Sequence, residues 1–163
     1  MMSPPAPQDF EEILAVLAHH PFFAGLSVPE REELASCAVR REFPAGQPII
    51  HEGEPARGFY ALVHGKVAIQ LNVPVRGRVT LQTIADGEVL GWSWMTPGAQ
   101  WSFDARTQQP TVALEFDGPA VLKLCEAEPR LGYRLMTRLS HVMAERLHAT
   151  RVQLLDIYGV PRP

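Results

Sequence analysis

The residues best suited to binding a ligand lie between Gly87 and Arg106, in the stretch GEVLGWSWMTPGAQWSFDAR. Two glycines, Gly87 and Gly91, precede a turn whose peptide N–H groups can point at an anion, as they do at the start of a helix. All three tryptophans of the chain also fall here, at positions 92, 94 and 101. An indole offers a flat apolar face and one N–H donor, so the stretch predicts a pocket for an anion or a flat apolar ligand.

The remaining reactive side chains form no pattern for catalysis or for metal binding. The six histidines show no HxH or HxxxH spacing, which is the spacing that local metal motifs use. The chain also lacks a GxSxG elbow, a CxxC pair and a phosphate-binding P-loop. We therefore expect a binding protein rather than an enzyme, with no metal and no cofactor.

Composition and charge narrow the class of partner. The 163 residues are 46% apolar and 20% charged, which is typical of one globular domain, and no apolar run approaches the length of a membrane span. The net charge is −3 and the basic residues are scattered, so we expect no nucleic-acid partner and no membrane partner. Cys37 and Cys125 each lie in an apolar segment and no secretory signal begins the chain, which predicts a cytoplasmic protein.

The first part of the chain predicts two short helices after a proline-rich leader, residues 1–8. Apolar residues at helical spacing in 9–19 predict an amphipathic helix that ends before Pro21. Ser27 and Glu30 form a capping-box pattern, which predicts a second helix from Val28 to about Cys37.

From Ala38 the hydrophobic period changes to two, and glycines recur at short intervals. This pattern predicts a mainly β fold of short strands with flanking helices. The predicted strands are 38–43, 48–51, 57–64, 66–73, 78–84, 88–90, 101–107, 111–117 and 119–124.

A long helix is predicted to begin near Pro129, within 128–158, and to end at Gly159, before a tail at 160–163. Leu135, Leu139 and Val142 form a stripe that should pack on the β body. A second stripe has the spacing of a coiled-coil seam and predicts a homodimer through this helix. Its members are Met136, Ser140, Met143, Leu147, Thr150, Leu154 and Ile157. The alternative is a helix folded entirely onto its own domain.

The order of these elements, together with several local motifs, resembles the cyclic nucleotide-binding domain of catabolite-activator-type (Crp/Fnr) transcription regulators. The motifs are FFAGL at 22–26, FPAG at 43–46, HEGE at 51–54, GFYALVHGKV at 58–67 and GEVLG at 87–91. The resemblance implies one domain at 9–159, with helices at 9–37, a β-roll at 38–125 and the long helix. In full, it implies a double-stranded β-helix, jelly-roll-like, with two short N-terminal helices and one long C-terminal dimerisation helix.

In the resembled regulators the turn is a phosphate-binding cassette. A glutamate there binds the ribose hydroxyl, and an arginine about ten residues later binds the cyclic phosphate. Aligning the two cassette glycines puts Trp92 at the glutamate position and Ser102 at the arginine position. Glu88 lies four residues too early and Arg106 four too late, whereas Thr150 matches a threonine that touches the base.

These correspondences define the candidate pocket and the expected function. The candidate ligand-binding residues are Glu88, Gly91, Trp92, Ser93, Trp94, Trp101, Ser102, Arg106 and Thr150. The tryptophans either stack a ligand or fill the vacated pocket as core.

We expect a stand-alone sensor-like regulatory domain with a degenerate cassette, acting through a ligand or an unidentified protein partner. No helix-turn-helix follows the long helix, so we expect no DNA binding. The alternatives are a genuine cAMP or cGMP receptor with an unusual site and a ligand-free structural interaction module.

Overall fold

The computed structural model describes residues 6–157, without the side chains of residues 7 and 154–157. Residues 1–5 of the predicted leader, the predicted helix end at Gly159 and the predicted tail at 160–163 lie outside this range. The helices are α1 (Pro7–His19), α2 (Val28–Ala35), α3 (Gly118–Ala127) and α4 (Pro129–Ile157), with short 3₁₀ turns at Pro21–Phe23 and Ser93–Met95. The strands are β1 (Ala38–Phe43), β2 (Pro48–Ile50), β3 (Gly58–His64), β4 (Lys66–Val73), β5 (Gly77–Ala85), β6 (Val89–Leu90), β7 (Asp104–Thr107) and β8 (Thr111–Asp117).

The strands form two antiparallel four-stranded sheets, ordered β1-β8-β3-β6 and β2-β7-β4-β5. Strand β3 separates two hydrophobic clusters. Phe59 and Ala61 face a cluster shared with the helices, whereas Leu62 faces a cluster between the sheets. A strand buried on both faces explains why its apolar residues do not alternate strictly with polar ones. The double-stranded β-roll with two short N-terminal helices and a long C-terminal helix is thereby confirmed.

One predicted strand is wrong, because residues 119–124 lie inside helix α3 rather than in a strand. The Asp117 side chain accepts a hydrogen bond from the Ala120 N–H at 3.0 Å, which caps the first turn of the helix. Pro119 occupies a position in that turn where a missing N–H does no harm. The alternating apolar residues of 121–124 hid this capping signal. Smaller differences are that α2 ends at Ala35 instead of Cys37 and that β7 begins at Asp104 instead of Trp101.

Helix α4 packs on the body of the domain through its first half. Leu131, Leu135 and Leu139 are buried in the helix-side cluster, and Val142 packs against it half-buried, as the sequence predicts. Met136, assigned from the sequence to the second stripe, also packs partly against this cluster. Further along, Met143 and Leu147 are exposed. The side chains of Leu154 and Ile157, which complete the predicted seam, lie outside the described part of the chain.

His20 joins the N-terminal helices to the β-roll from a buried position. Its Nε2 lies 3.0 Å from the carbonyl oxygen of Leu62, and its Nδ1 accepts the Phe22 N–H at 3.2 Å. The ring is therefore neutral, with its proton on Nε2. Burial lowers the pKa of His20, although the hydrogen bond to Leu62 acts in the opposite direction.

We expect the free energy of unfolding to fall as the pH drops below about 6.5, the ordinary pKa of histidine in an unfolded chain. Below that value the unfolded state binds a proton that folded His20 resists, so the folded state loses relative stability. The loss should continue until the pH reaches the lowered pKa. Urea unfolding between pH 5 and 8 should show this slope in the wild type and in H19Q, whose histidine is exposed. It should be flatter in H20Q, and an equal slope in H20Q would contradict the assignment to His20.

Candidate ligand-binding site

The cassette loop runs from Gly87 to Phe103 and is fastened at both ends to the β-roll. The Gly87 N–H donates to the carbonyl oxygen of Leu62 at 2.9 Å, and the Trp101 N–H donates to the carbonyl oxygen of Glu54 at 2.9 Å. Gly91 has a φ of +92°, and its Cα faces the ring of Trp101. Only glycine meets both conditions without strain or a clash, which explains its position after β6.

Two of the three tryptophans belong to the hydrophobic core. Trp94 is buried and stacks on Phe59, with ring centroids 5.2 Å apart and planes inclined by 22°. Trp101 is buried in the cluster between the sheets, 5.7 Å from the ring of Phe103. These two indoles stabilise the loop from inside the domain. They therefore correspond to the core alternative for the tryptophans.

Trp92 lies in a different environment. Its side chain is half-buried, and the guanidinium carbon of Arg146 lies 5.0 Å from the centroid of its ring. This is cation–π distance, and such a contact gains strength when the cation is removed from water. Trp92, which the sequence aligns with the family's glutamate, thus presents an aromatic face to a positive charge from helix α4.

Arg146 was missed by the sequence analysis. Its side chain is buried, and its Nη2 donates to the carbonyl oxygen of Val89 in β6. Its Nη1 is also buried and has no hydrogen-bond partner among the described residues. Burial lowers the pKa of Arg146 to about 10, although the nearby carboxylates of Glu88 and Glu145 act in the opposite direction. The guanidinium therefore remains charged at neutral pH.

A cavity of about 450 Å³ opens between the cassette loop, the β4–β5 ribbon and helix α4. We call it the cassette cavity. Three candidate residues, Trp92, Ser102 and Thr150, line it together with Arg146. The Thr150 hydroxyl donates to the carbonyl oxygen of Arg146 at 2.9 Å, which leaves its oxygen lone pairs available as acceptors. The other lining residues are Ile69, Leu81, Gln82, Phe103, Met143, Ala144 and Leu147.

The remaining candidates do not line this cavity. Arg106 donates to the carbonyl oxygen of Gly46 and so holds the turn between β1 and β2. Glu88 accepts the Ala85 N–H at 2.7 Å and lines a second cavity, of about 680 Å³, that Arg146 also borders. Gly91 and Ser93 shape the loop, with Ser93 starting its 3₁₀ turn. Glu88 and Arg106, which the sequence places four residues too early and four too late for the cassette, therefore do not meet at the cassette cavity.

Two further observations concern other classes of site within residues 6–157. No group of three or more His, Cys, Asp and Glu side chains in this part of the chain is arranged to hold a metal ion. None of the helices described is both long enough and apolar enough to cross a bilayer. The cassette cavity itself offers a ligand one cation, an aromatic face, one side-chain amide and two hydroxyl groups.

Residues 40–128 match the family model described as "Cyclic nucleotide-binding domain". The chain is 30% identical over 139 residues to glutaminase 1 of Bradyrhizobium diazoefficiens. The matched region covers 85% of this chain and 22% of that protein. It is 29% identical over 144 residues to the CRP-like cAMP-activated global transcriptional regulator of Mycobacterium tuberculosis, covering 87% of this chain and 62% of the regulator. The chain thus spans less than two thirds of either curated relative.

Among solved structures, a cyclic nucleotide-binding domain from Methylobacillus flagellatus superimposes with a TM-score of 0.78 at 24% identity. The match covers 94% of this chain and 86% of that one. At this level of identity the likeness supports the fold alone, which agrees with the two-sheet arrangement described above.

Proposed function

The chain belongs to the cyclic nucleotide-binding domain family, and on that premise we propose that it is a regulatory sensor domain whose ligand binds in the cassette cavity. The observation that carries the proposal is that this cavity is open. Trp94 and Trp101 are packed in the core outside it, and Trp92 forms part of its wall. A structural module with a tryptophan-filled pocket would leave no such space, so a binding function fits better than a purely structural or a catalytic one.

The position of the cavity suggests how binding would be transmitted. Its wall combines the cassette loop with Met143, Leu147 and Thr150 of helix α4. A ligand in contact with both elements would favour one placement of the helix over others, because it binds that placement more tightly. We propose that the domain acts on a protein partner through this helix, and that it works in the cytoplasm, where its thiols at Cys37 and Cys125 would stay free.

The two changed positions argue against tight binding of a cyclic nucleotide. Trp92 has no acceptor for a ribose hydroxyl, and Ser102 cannot replace a charge-assisted pair between an arginine and a phosphate. The second candidate is a genuine cyclic-nucleotide receptor. It is favoured by Thr150, which lines this cavity and which the resemblance matches to a threonine that contacts the base.

Calorimetric titration with cyclic AMP and cyclic GMP, together with thermal unfolding in fractionated metabolite extract, tests both candidates. A ligand that binds only the folded state raises its stability, by about 2.7 kcal/mol at a hundredfold excess over Kd. A rise in thermal stability in the extract, with no heat of binding from either nucleotide, supports a sensor whose pocket binds another ligand. Micromolar binding of a nucleotide supports the receptor. If neither the titrations nor the thermal unfolding detects binding, the sensor proposal is contradicted and a structural interaction module is favoured.

We also propose that the protein is a homodimer through helix α4. Leu147 is 53% exposed and Met143 is 38% exposed, and both lie in the predicted seam. A dimer that pairs these helices would cover the exposed leucine and methionine around its two-fold axis.

We expect sedimentation equilibrium to give a dimer mass for the wild type and a monomer mass for L147E, because a buried unpaired carboxylate in the seam opposes association. The matched control is H148E, at the exposed neighbour of Leu147, which the same spacing places outside the seam, and it should remain dimeric. A monomer mass for the wild type at high protein concentration would contradict the dimer proposal.

A further inference from the structure

Arg146 carries a buried charge that the protein does not fully compensate. Its side chain is 7% exposed, and Nη1 has no hydrogen-bond partner among the described residues. A buried donor without an acceptor costs folding free energy, and more so when the group is charged. The contacts with the Val89 carbonyl oxygen and the Trp92 ring offset part of this cost.

The nearest carboxylates do not complete the site, because both are engaged elsewhere. The Glu88 carboxylate accepts the Ala85 N–H. A carboxylate oxygen of Glu145 lies 3.3 Å from Nε2 of His141. Each acts on the pKa of Arg146, yet neither forms an ion pair with it in the described structure. The guanidinium therefore retains the capacity to pair with one further negative group.

The walls of the cassette cavity define what else the ligand must carry. Most are apolar: Ile69, Leu81, Phe103, Met143, Ala144 and Leu147. Among the described residues no acidic side chain lines the cavity, and its polar groups besides Arg146 and the Trp92 indole N–H are the uncharged side chains of Gln82, Ser102 and Thr150. Trp92 adds a flat face beside the cation, where an aromatic or aliphatic body can stack.

We infer that Arg146 is the anion-recognising residue of the cassette cavity and that the ligand class is a monoanionic carboxylic acid with an apolar or aromatic body. This inference rests on the proposed sensor function and specifies its ligand. A single free donor next to two carboxylates suits one negative charge, since a dianion would be repelled by Glu88 and Glu145. The carboxylate accepts from Nη1 while the body occupies the apolar wall.

Trp92 has a second part in this binding event. With the indole in its present place, Nη1 has almost no accessible surface. Because Nη1 is buried, the carboxylate reaches it only after side chains around Arg146 shift, and the ring of Trp92, 5.0 Å from the guanidinium carbon, is one of these neighbours. The hydrogen bond gained is charge-assisted, which makes it stronger than a neutral one.

The test compares acids with their neutral amides by calorimetry at pH 7, using the full chain. The probes are indole-3-acetate, phenylacetate and hexanoate, each paired with its amide, and cyclic AMP as a comparator. We expect the wild type to bind at least one acid about tenfold or more tightly than its amide, as the loss of a charge-assisted hydrogen bond implies. R146Q should lose this preference, and R146K should keep part of it.

The matched control is R151Q, which removes an exposed arginine from the same helix and should keep the full preference for the acid. Thermal unfolding of each variant verifies that it is folded. Equal binding of acid and amide, a preference that survives in R146Q, or no binding of any acid overturns the inference. If cyclic AMP or a metabolite fraction stabilises the protein in any of these cases, the sensor function stands and only the ligand class falls.

Discussion

Replacing Trp94 by alanine is expected to lower the free energy of unfolding by about 3–5 kcal/mol, the usual cost of removing a large buried aromatic side chain. Trp94 is 3% exposed, and its neighbour Phe59 stacks in turn on Phe116 at a centroid distance of 4.5 Å. Truncation would open a cavity beside this stack, which links the cassette loop to the sheet and the helices.

The matched change is W92A, in the same 3₁₀ region but on the cavity wall. We expect it to cost only about 1 kcal/mol, because the side chain is half-buried and its main partner is the Arg146 guanidinium. Urea unfolding of both variants measures the difference. If W92A costs as much as W94A, then Trp92 belongs to the hydrophobic core rather than to the cavity wall.

Replacing Gly91 by alanine is expected to cost about 2–4 kcal/mol, through backbone strain and overpacking together. The residue has a φ of +92°, and a Cβ there would lie 2.6 Å from Cη2 of Trp101. The indole cannot move away easily, since Trp101 is itself buried in the cluster between the sheets. We also expect the variant to weaken binding in the cassette cavity, because it displaces the start of the loop.

Gly98 in the same loop provides the control for backbone strain alone. It has a φ of +73°, but a Cβ there meets no atom within 4 Å. G98A should therefore cost only the strain, about 1–2 kcal/mol. Equal losses in G91A and G98A, measured by chemical unfolding, would contradict a tight contact between Gly91 and Trp101.

Much of the fold could be predicted because its signals are local. Ser27 and Glu30 form the expected capping box, with the Ser27 N–H donating to the glutamate carboxylate at 2.7 Å. The glycines that separate the strands mark turns, and seven of the nine predicted strand starts agree with the structure within one residue. Helix α3 was missed because its apolar residues also alternate, and the cap at Asp117 decides between the two readings.

The site could be predicted only in part, because it joins segments that are distant in the chain. The cassette register singles out Trp92 and Ser102, and both line the cavity together with Thr150. The cassette pattern does not predict Arg146, because this cation lies on helix α4, far from the cassette in sequence. A signal was nevertheless present: Arg146 continues the buried stripe of Leu135, Leu139 and Val142 at helical spacing. A charged residue in an apolar stripe is a stronger indication of a site than a charged residue in a loop.

The three indoles lie within ten residues of sequence but in three different surroundings, which gives the protein a built-in optical reporter. Trp94 and Trp101 are shielded in the two hydrophobic clusters, whereas Trp92 meets a cation and a cavity wall. In a protein with phenylalanine at positions 94 and 101, the tryptophan fluorescence would come from Trp92 alone. Its emission would then follow the state of the cavity directly, so that libraries of small molecules can be screened against unlabelled protein.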